Sequence, residues 1–310
     1  MILNKYSVYL TLNITLVFMS YKNRRKIMGF HSKPTTFVGH VKIKVEDLER
    51  SLKFYQEMIG FSILEKTETT AKLTTDGKTS ILSLEQPENV TPKQRGTTGL
   101  YHFAILLPEK KDLANIVVHL AKNGIRIGSS DHLVSEAIYI QDPDDNGIEI
   151  YIDRDPSVWQ WNGEEVAMTV DPLDFESLLM YHDQNQSWTK LPENTVMGHI
   201  HLHVSELVKT EQFYVEGLGF DVVNRYGTQA LFISSDKYHH HIGLNTWNGI
   251  GAPQPAENSV GLKSYTLIYA NEKAVQDTIS NLQKIGATVS EEDGKVITYD
   301  PSGNRIELAV

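Results

Sequence analysis

The chain of 310 residues carries one set of motifs twice. Gly39-His40-Val41-Lys42-Ile43-Lys44-Val45 leads to Phe54-Tyr55 and then to Ile59-Gly60-Phe61. Gly198-His199-Ile200-His201-Leu202-His203-Val204 leads, at the same internal spacing, to Phe213-Tyr214 and Leu218-Gly219-Phe220. The halves also close alike, with Asp142-Pro143-Asp144-Asp145-Asn146-Gly147-Ile148-Glu149 and Asp300-Pro301-Ser302-Gly303-Asn304-Arg305-Ile306-Glu307. A duplication of this extent obliges both halves to adopt one topology. The length favours two domains over one large barrel, because single hydrophobic cores stop growing at roughly 250–300 residues.

Each half divides again. Val41, Ile43 and Val45 alternate with polar residues as in a half-buried strand, and Leu48, Leu52, Tyr55 and Ile59 follow at helical spacing. Short alternating runs between Phe61 and Leu84 are broken by Asp76-Gly77, a hairpin signal. The unit is therefore β-α-β-β-β. A second unit is predicted from a strand at 101–107, a helix at 111–124, and strands near Ile125, at 137–141 and at 147–152. The same order recurs from Gly198 and from Gly261, giving four units. Consecutive units are expected to pair, placing a first domain at 37–153 and a second at 197–310. Residues 154–196, with Trp159, Trp161 and a short helix near 173–180, read as a linker.

The first 36 residues are an N-terminal extension. Val8 to Met19 is an apolar run well short of the roughly 20 residues a spanning helix needs. Its positive charges, Lys22, Arg24, Arg25 and Lys26, follow the run where a secretory signal would have them precede it. The expectation is that the natural chain begins at Met28 and that the protein is cytoplasmic. A net charge of −10 offers no basic face to nucleic acid or to an anionic membrane. The absence of cysteine removes disulfides, thiolate metal sites and cysteine nucleophiles together, leaving His, Asp and Glu as candidate metal ligands. Oligomeric state is left open, with a homo-oligomer compatible.

Alternation assigns the strand faces. If Val41, Ile43 and Val45 pack under the helix, His40, Lys42 and Lys44 point the other way. His102, Tyr139 with Gln141, and Glu149 with Tyr151 likewise oppose their apolar neighbours. In a sheet curled around a cleft, His40, His102 and Glu149 would converge as a two-histidine, one-carboxylate set suited to Fe(II) or Mn(II) with open positions. A lone strand histidine is more often a satisfied polar or surface residue than a ligand, and no short spacing motif links the three.

These motifs resemble the vicinal oxygen chelate superfamily, which contains glyoxalases, bleomycin-resistance proteins and extradiol dioxygenases. The similarity runs from about Val38 to Val310 and is greatest to two-domain catechol 2,3-dioxygenases of a bacillary branch. It implies an α+β fold of four βαβββ modules paired into two open, U-shaped barrels. It also implies an extradiol ring-cleaving dioxygenase that uses Fe(II), or Mn(II), and O2 on a catechol-type or hydroquinone-type aromatic. His40, His102 and Glu149 match the three ligand positions. The segment His132 to Glu149 resembles the extradiol signature, which makes His132 the acid–base residue and Tyr139 a hydrogen-bond donor to the bound diol; Asp145 departs from it, standing where the signature has Gly or Pro.

Neither half is complete on this reading. In the second, His199 and Glu307 match the first and third ligand positions, whereas Tyr265 is read at the position of His102. Yet Tyr238-His239-His240-His241-Ile242 resembles a segment that carries a further active-site histidine, and the first half has Lys78-Thr79-Ser80-Ile81 there. The first half is preferred, with a rival site of His199, His201, His241 and Glu307. The same fold also supports glyoxalase-like isomerases, thiol transferases and non-catalytic binders of small molecules, so the fold alone does not settle the chemistry.

Overall fold

The computed structural model describes residues 29–185 and 187–310, so the expected start at Met28 and the segment before it lie outside the described residues. Each module opens on a long central strand and continues through a helix into three more strands. Module 1 holds β1 (Phe37–Lys44), α1 (Leu48–Phe54), β2 (Ser62–Lys66), β3 (Thr70–Thr74) and β4 (Ser80–Glu85). Module 2 holds β5 (Gly99–Leu106), α2 (Lys110–Lys122), β6 (Gly128–Asp131), β7 (Ser135–Gln141) and β8 (Gly147–Asp153). A short hairpin, β9 (Trp161–Asn162) and β10 (Glu165–Val166), and a helix α3 (Phe175–Leu179) occupy the segment that follows. Module 3 holds β11 (Val196–His203), α4 (Val208–Gln212), β12 (Asp221–Tyr226), β13 (Ala230–Ser234) and β14 (Ile242–Asn245). Module 4 holds β15 (Gly261–Ile268), α5 (Glu272–Lys284), β16 (Val289–Glu292), β17 (Lys295–Tyr299) and β18 (Arg305–Ala309).

Local sequence explains the helix limits. Asp47 caps α1 by accepting from the Arg50 amide, and Asn271 caps α5 by accepting from the Ala274 amide. After α1 a single π-turn, Tyr55–Ile59, ends at Gly60 in the left-handed region (φ 100°). The Lys190-Leu191 backbone crosses directly above that glycine, 2.8 Å from where a Cβ would sit.

The fold is the expected α+β arrangement, but the partners differ from the expectation. One eight-stranded sheet has the order β16-β17-β18-β15-β1-β4-β3-β2 and the other β12-β13-β14-β11-β5-β8-β7-β6. Module 1 therefore shares a sheet with module 4, and module 2 with module 3. The expectation of barrels at 37–153 and 197–310 is corrected accordingly. In each sheet two modules join through antiparallel pairing of their first strands, β1 with β15 and β5 with β11. All four modules offer the same kind of edge for this pairing, so the strand pattern does not say which two will meet.

The connecting segments decide it. Residues 86–98 and 246–260 run beside one another, with Thr91 N to Asn258 O at 3.0 Å, Val260 N to Thr91 O at 2.9 Å and Thr98 N to Pro253 O at 2.9 Å. Residues 154–195 return the chain from β8 to β11 within one sheet. This segment is a strap rather than a loose linker: Trp159 and Val166 pack with Val134, Val223 and Tyr238, and Trp188 Nε1 donates to Ile59 O at 3.1 Å. The described part of the N-terminal extension is docked as well, since His31 Nε2 donates to Gly198 O at 2.8 Å and Thr35 bonds Asp236.

The duplicated Tyr and Asp-Pro motifs have a structural role. Asp142 Oδ1 accepts from the amides of Asp144 and Asn146 at 2.9 and 2.8 Å, and its Oδ2 accepts from Asn146 Nδ2 and from Tyr55 OH, each at 2.9 Å. Asp300 repeats the arrangement with Ser302, Asn304 and Tyr214. Each clamp ties the helical segment of one module to the turn before the last strand of the next. Consecutive modules are thus locked by their helices while their strands enter different sheets. Both aspartates and both tyrosines are buried, so every one of these bonds is made away from water. Tyr55→Phe should lower unfolding free energy by about 1–2 kcal/mol, the cost of leaving a buried acceptor short of a donor, as read from urea denaturation.

Candidate metal centre

Three residues on three strands bring their donor atoms together: His102 on β5, Glu149 on β8 and His199 on β11. Their ligand atoms all lie within 4.8 Å of one another, and among the described residues no other group of three does so. Glu149 Oε2 is 3.0 Å from His102 Nε2 and 3.2 Å from His199 Nε2. The residues are 5%, 3% and 1% exposed. The register produces this convergence: β5 pairs parallel with β8, setting Ala104 opposite Glu149, and antiparallel with β11, setting Ala104 opposite His199.

A small residue makes room for the first ligand strand. A Cβ at Gly198 would lie 2.1 Å from the Tyr151 hydroxyl, so only glycine lets that ring pack against β11, where it tilts over His199 at 4.9 Å between centroids. The Gly-His motif is therefore a packing device as well as a ligand signal.

Electrostatics suit a cation. Burial lowers His199 to about 4, with Glu149 opposing, so the imidazole is neutral and presents a lone pair. Burial penalises the Glu149 carboxylate, but His199 and His102 outweigh that penalty and hold the acid well below the usual carboxylate range. His102 Nε2 is buried and finds no properly oriented hydrogen-bond partner although it faces the carboxylate. Buried polar atoms are almost always satisfied, so an orphaned imidazole nitrogen aimed at a carboxylate shared with a second imidazole fits a metal ion at their centre.

Further groups surround these three. Tyr139 on β7 lies 5.6 Å from His102 between ring centroids, and its hydroxyl donates to His132 Nε2 at 2.6 Å. His132 Nδ1 donates to the Thr169 carbonyl of the strap at 2.6 Å, which fixes the tautomer and leaves Nε2 as the acceptor. On the other side of the cluster, the His240 ring sits 4.2 Å from that of His199. His240 is bonded to His239 (Nδ1 to Nδ1, 2.8 Å), and His239 Nε2 donates to Asp153 Oδ1 at 2.8 Å. Tyr238, hydrogen-bonded to Tyr151 at 2.8 Å, donates to the same Asp153 oxygen at 3.2 Å. His201, cross-strand from His102, is buried with Nε2 unpartnered among the described residues.

The first-half ligand set, His40 with His102 and Glu149, is not brought together. His40 lies on β1 in the other sheet, where its Nε2 is 2.8 Å from the Ser83 hydroxyl and burial lowers it to about 4. The rival set is also divided. His199 and His201 share a face of β11, but Glu307 is on β18 in the other sheet and His241 Nε2 donates to the Phe30 carbonyl at 2.8 Å. The alignment of the second half needs correction too. Phe103 and Tyr265 are equivalent by register, opposite Ile148 and Ile306, so Ser264 and not Tyr265 stands at the position of His102. Tyr265 points into the core and bonds Tyr214 at 2.9 Å. In that sheet Glu307 accepts from Ser264 at 3.0 Å and pairs with Lys295 at 2.7 Å, so an ammonium takes the place a cation would need.

Both halves looked incomplete because the site is assembled from the end of one and the start of the next. Nothing in the sequence marks Asp153 or the contact of Tyr151 with Tyr238. In the Tyr238 to His241 run it is His240 rather than His241 that lies beside His199, and the irregular backbone there gives no alternation that would distinguish them.

Residues 37–150 and 196–308 match the Glyoxalase/Bleomycin resistance protein/Dioxygenase superfamily. The chain belongs to that superfamily. It is 45% identical over 279 residues to catechol-2,3-dioxygenase of Bacillus subtilis, a match covering 89% of this chain and 98% of that protein. It is 27% identical over 146 residues to biphenyl-2,3-diol 1,2-dioxygenase 3 of Rhodococcus globerulus, covering 44% of this chain and 77% of that protein. Glyoxalase I of Zea mays shares the fold, with a TM-score of 0.54 at 16% identity, over 88% of this chain and 92% of the other. No helix among the described residues is long and apolar enough to cross a membrane.

His199→Ala should lose most bound metal, because it removes one of only three protein donors, while Glu307→Gln should keep it. Metal content of the two purified variants, measured by plasma mass spectrometry beside circular dichroism spectra, checks both.

Proposed function

We propose that the protein is an extradiol ring-cleaving dioxygenase acting on a catechol-type aromatic, with Fe(II) or Mn(II) held by His102, Glu149 and His199. The observation that carries the reading is the buried two-histidine, one-carboxylate cluster flanked by the hydrogen-bonded His132–Tyr139 pair. The similarity to the Bacillus subtilis catechol-2,3-dioxygenase over almost the whole of both chains supports it. A hydroquinone-type ring is the neighbouring substrate class.

Once bound, the metal supplies Lewis acidity toward the diol oxygens and a meeting point for diol and O2. Both oxygen atoms enter the product, a hydroxymuconic semialdehyde-type acid, so the overall reaction needs no external reductant. The remaining work falls to side chains. Glu149 faces both imidazoles and is hydrogen-bonded to His199 at 3.2 Å, which orients that ring beside His102. His132 has its Nδ1–H committed to the Thr169 carbonyl, so Nε2 is where it can take a proton from a substrate hydroxyl and later return it. Tyr139 is held protonated, because burial and the nearby Glu149 charge raise its phenol well above the ordinary value. A protonated phenol has one hydrogen to donate, so Tyr139 would exchange its bond to His132 for a charge-assisted one to a substrate oxygen, which frees His132 Nε2. His240, whose Nδ1 faces His239, offers Nε2 on the opposite side of His199.

Isomerase and thiol-transferase readings need no O2, and a simple binder needs no turnover. Oxygen uptake by metal-loaded protein with a panel of catechols and hydroquinones separates these classes; uptake with none of them would overturn the proposal. His132→Ala should retain its metal yet slow turnover by roughly two to four orders of magnitude, the usual contribution of a general acid or base. Loss of metal together with activity would show His132 to be structural.

A further inference from the structure

The second sheet keeps the shape of a metal half-barrel but replaces imidazoles by ammonium groups. Lys42 and Lys44 follow His40 as His201 and His203 follow His199, and Lys263 stands where Tyr101 stands in the first sheet. Lys42 pairs with Glu85 at 2.6 Å, and Lys263 pairs with the other oxygen of the same carboxylate. Lys44 is only 9% exposed, and its Nζ donates to the Glu257 carbonyl at 2.7 Å. No carboxylate pairs with Lys44 among the described residues. Lys42 and Lys263 thus share one carboxylate, while the charges of Glu257 and Glu85 act on Lys44 without forming an ion pair with it. Burial lowers Lys44 and Lys263 adds to the effect, with the charges of Glu257 and Glu85 opposing it.

A buried ammonium bonded to a carbonyl and to no carboxylate is stabilised when an anion comes into contact with it. The space to do so is present. Lys42, Lys44 and Lys263 line one part of a cleft of about 2070 Å³, beside Pro87, Val260 and Leu262, and the same cleft reaches His102 and Tyr139. Separate ammonium donors beside an apolar wall suit an organic anion. Phosphate is more often gripped by an arginine fork or a nest of backbone amides.

We propose that Lys42, Lys44 and Lys263 form a second ligand site, for the carboxylate of a small, partly apolar organic acid. The site lies on the sheet of modules 1 and 4, in the same cleft as the metal centre but built from none of its three candidate ligands. The carboxylate would complete the coordination of Lys44, while the apolar part lies against Leu262 and Val260.

Isothermal titration of the full chain with benzoate tests this, with benzamide as the neutral isostere and inorganic phosphate as the competing anion. The expected result is saturable one-to-one binding of benzoate, at least tenfold weaker for phosphate and undetectable for benzamide. His102→Ala should leave it unchanged, and Lys44→Met should weaken it at least tenfold. Lys44→Met removes a buried charge that no carboxylate contacts directly while keeping the buried stem, so its melting temperature without ligand should not fall, and benzoate should raise the melting temperature of the parent but not of the variant. Lys263→Ala, at a more exposed position, gives a second variant expected to weaken benzoate. Absent benzoate binding, equal binding of phosphate or benzamide, loss of binding in His102→Ala, or full binding in Lys44→Met would each overturn the proposal.

Discussion

The antiparallel pairing of β5 with β11 is the contact on which the rest of the site depends. It sets His102 opposite His201 and Ala104 opposite His199, and the parallel pairing of β5 with β8 then delivers Glu149 to both imidazoles. A strand's side chains alternate with a period of two, so a slip of one residue in either pairing would turn the ligands into the core and bring apolar side chains to the cleft. The register is held by the hydrophobic faces beneath it. Phe103, Ile105, Ile148, Ile150, Ile200 and Leu202 are all buried on the other side of the same strands. The core that folds the sheet and the cluster that would bind the cation are thus opposite faces of one alternation.

Duplication explains how two sheets of like construction have different chemistry. The sheet of modules 2 and 3 has both histidines, the carboxylate and the surrounding His132, Tyr139 and His240. The sheet of modules 1 and 4 keeps one histidine and one carboxylate, and fills the remaining places with Ser264 and Lys295. Those replacements satisfy Glu307 internally, so that sheet needs no metal to remain folded. Freed from ligand duty, its face carries lysines where the other carries imidazoles and a tyrosine.

Much of this was legible in the residues. The four units, the strand faces, and the pairing of His132 and Tyr139 with His102 and Glu149 follow from alternation together with the family likeness. The partner of His102 was not legible. His40 and His199 open identical Gly-His strands, and nothing within either strand states which neighbour it will take. That information lies in the connectors: the paired segments at 86–98 and 246–260, and the strap at 154–195. These have irregular backbone and therefore no period to read. Ser264 and Tyr265 differ by one residue of register, and only the pairing of β15 with β18 shows which of them is equivalent to His102.

The most direct measurement of the central claim is an anomalous difference map from crystals of the metal-loaded protein, collected at the absorption edge of the bound metal. The account predicts a single strong peak among His102, Glu149 and His199, bridging β5, β8 and β11. A peak beside His40 and Glu307, in the sheet of modules 1 and 4, would contradict it.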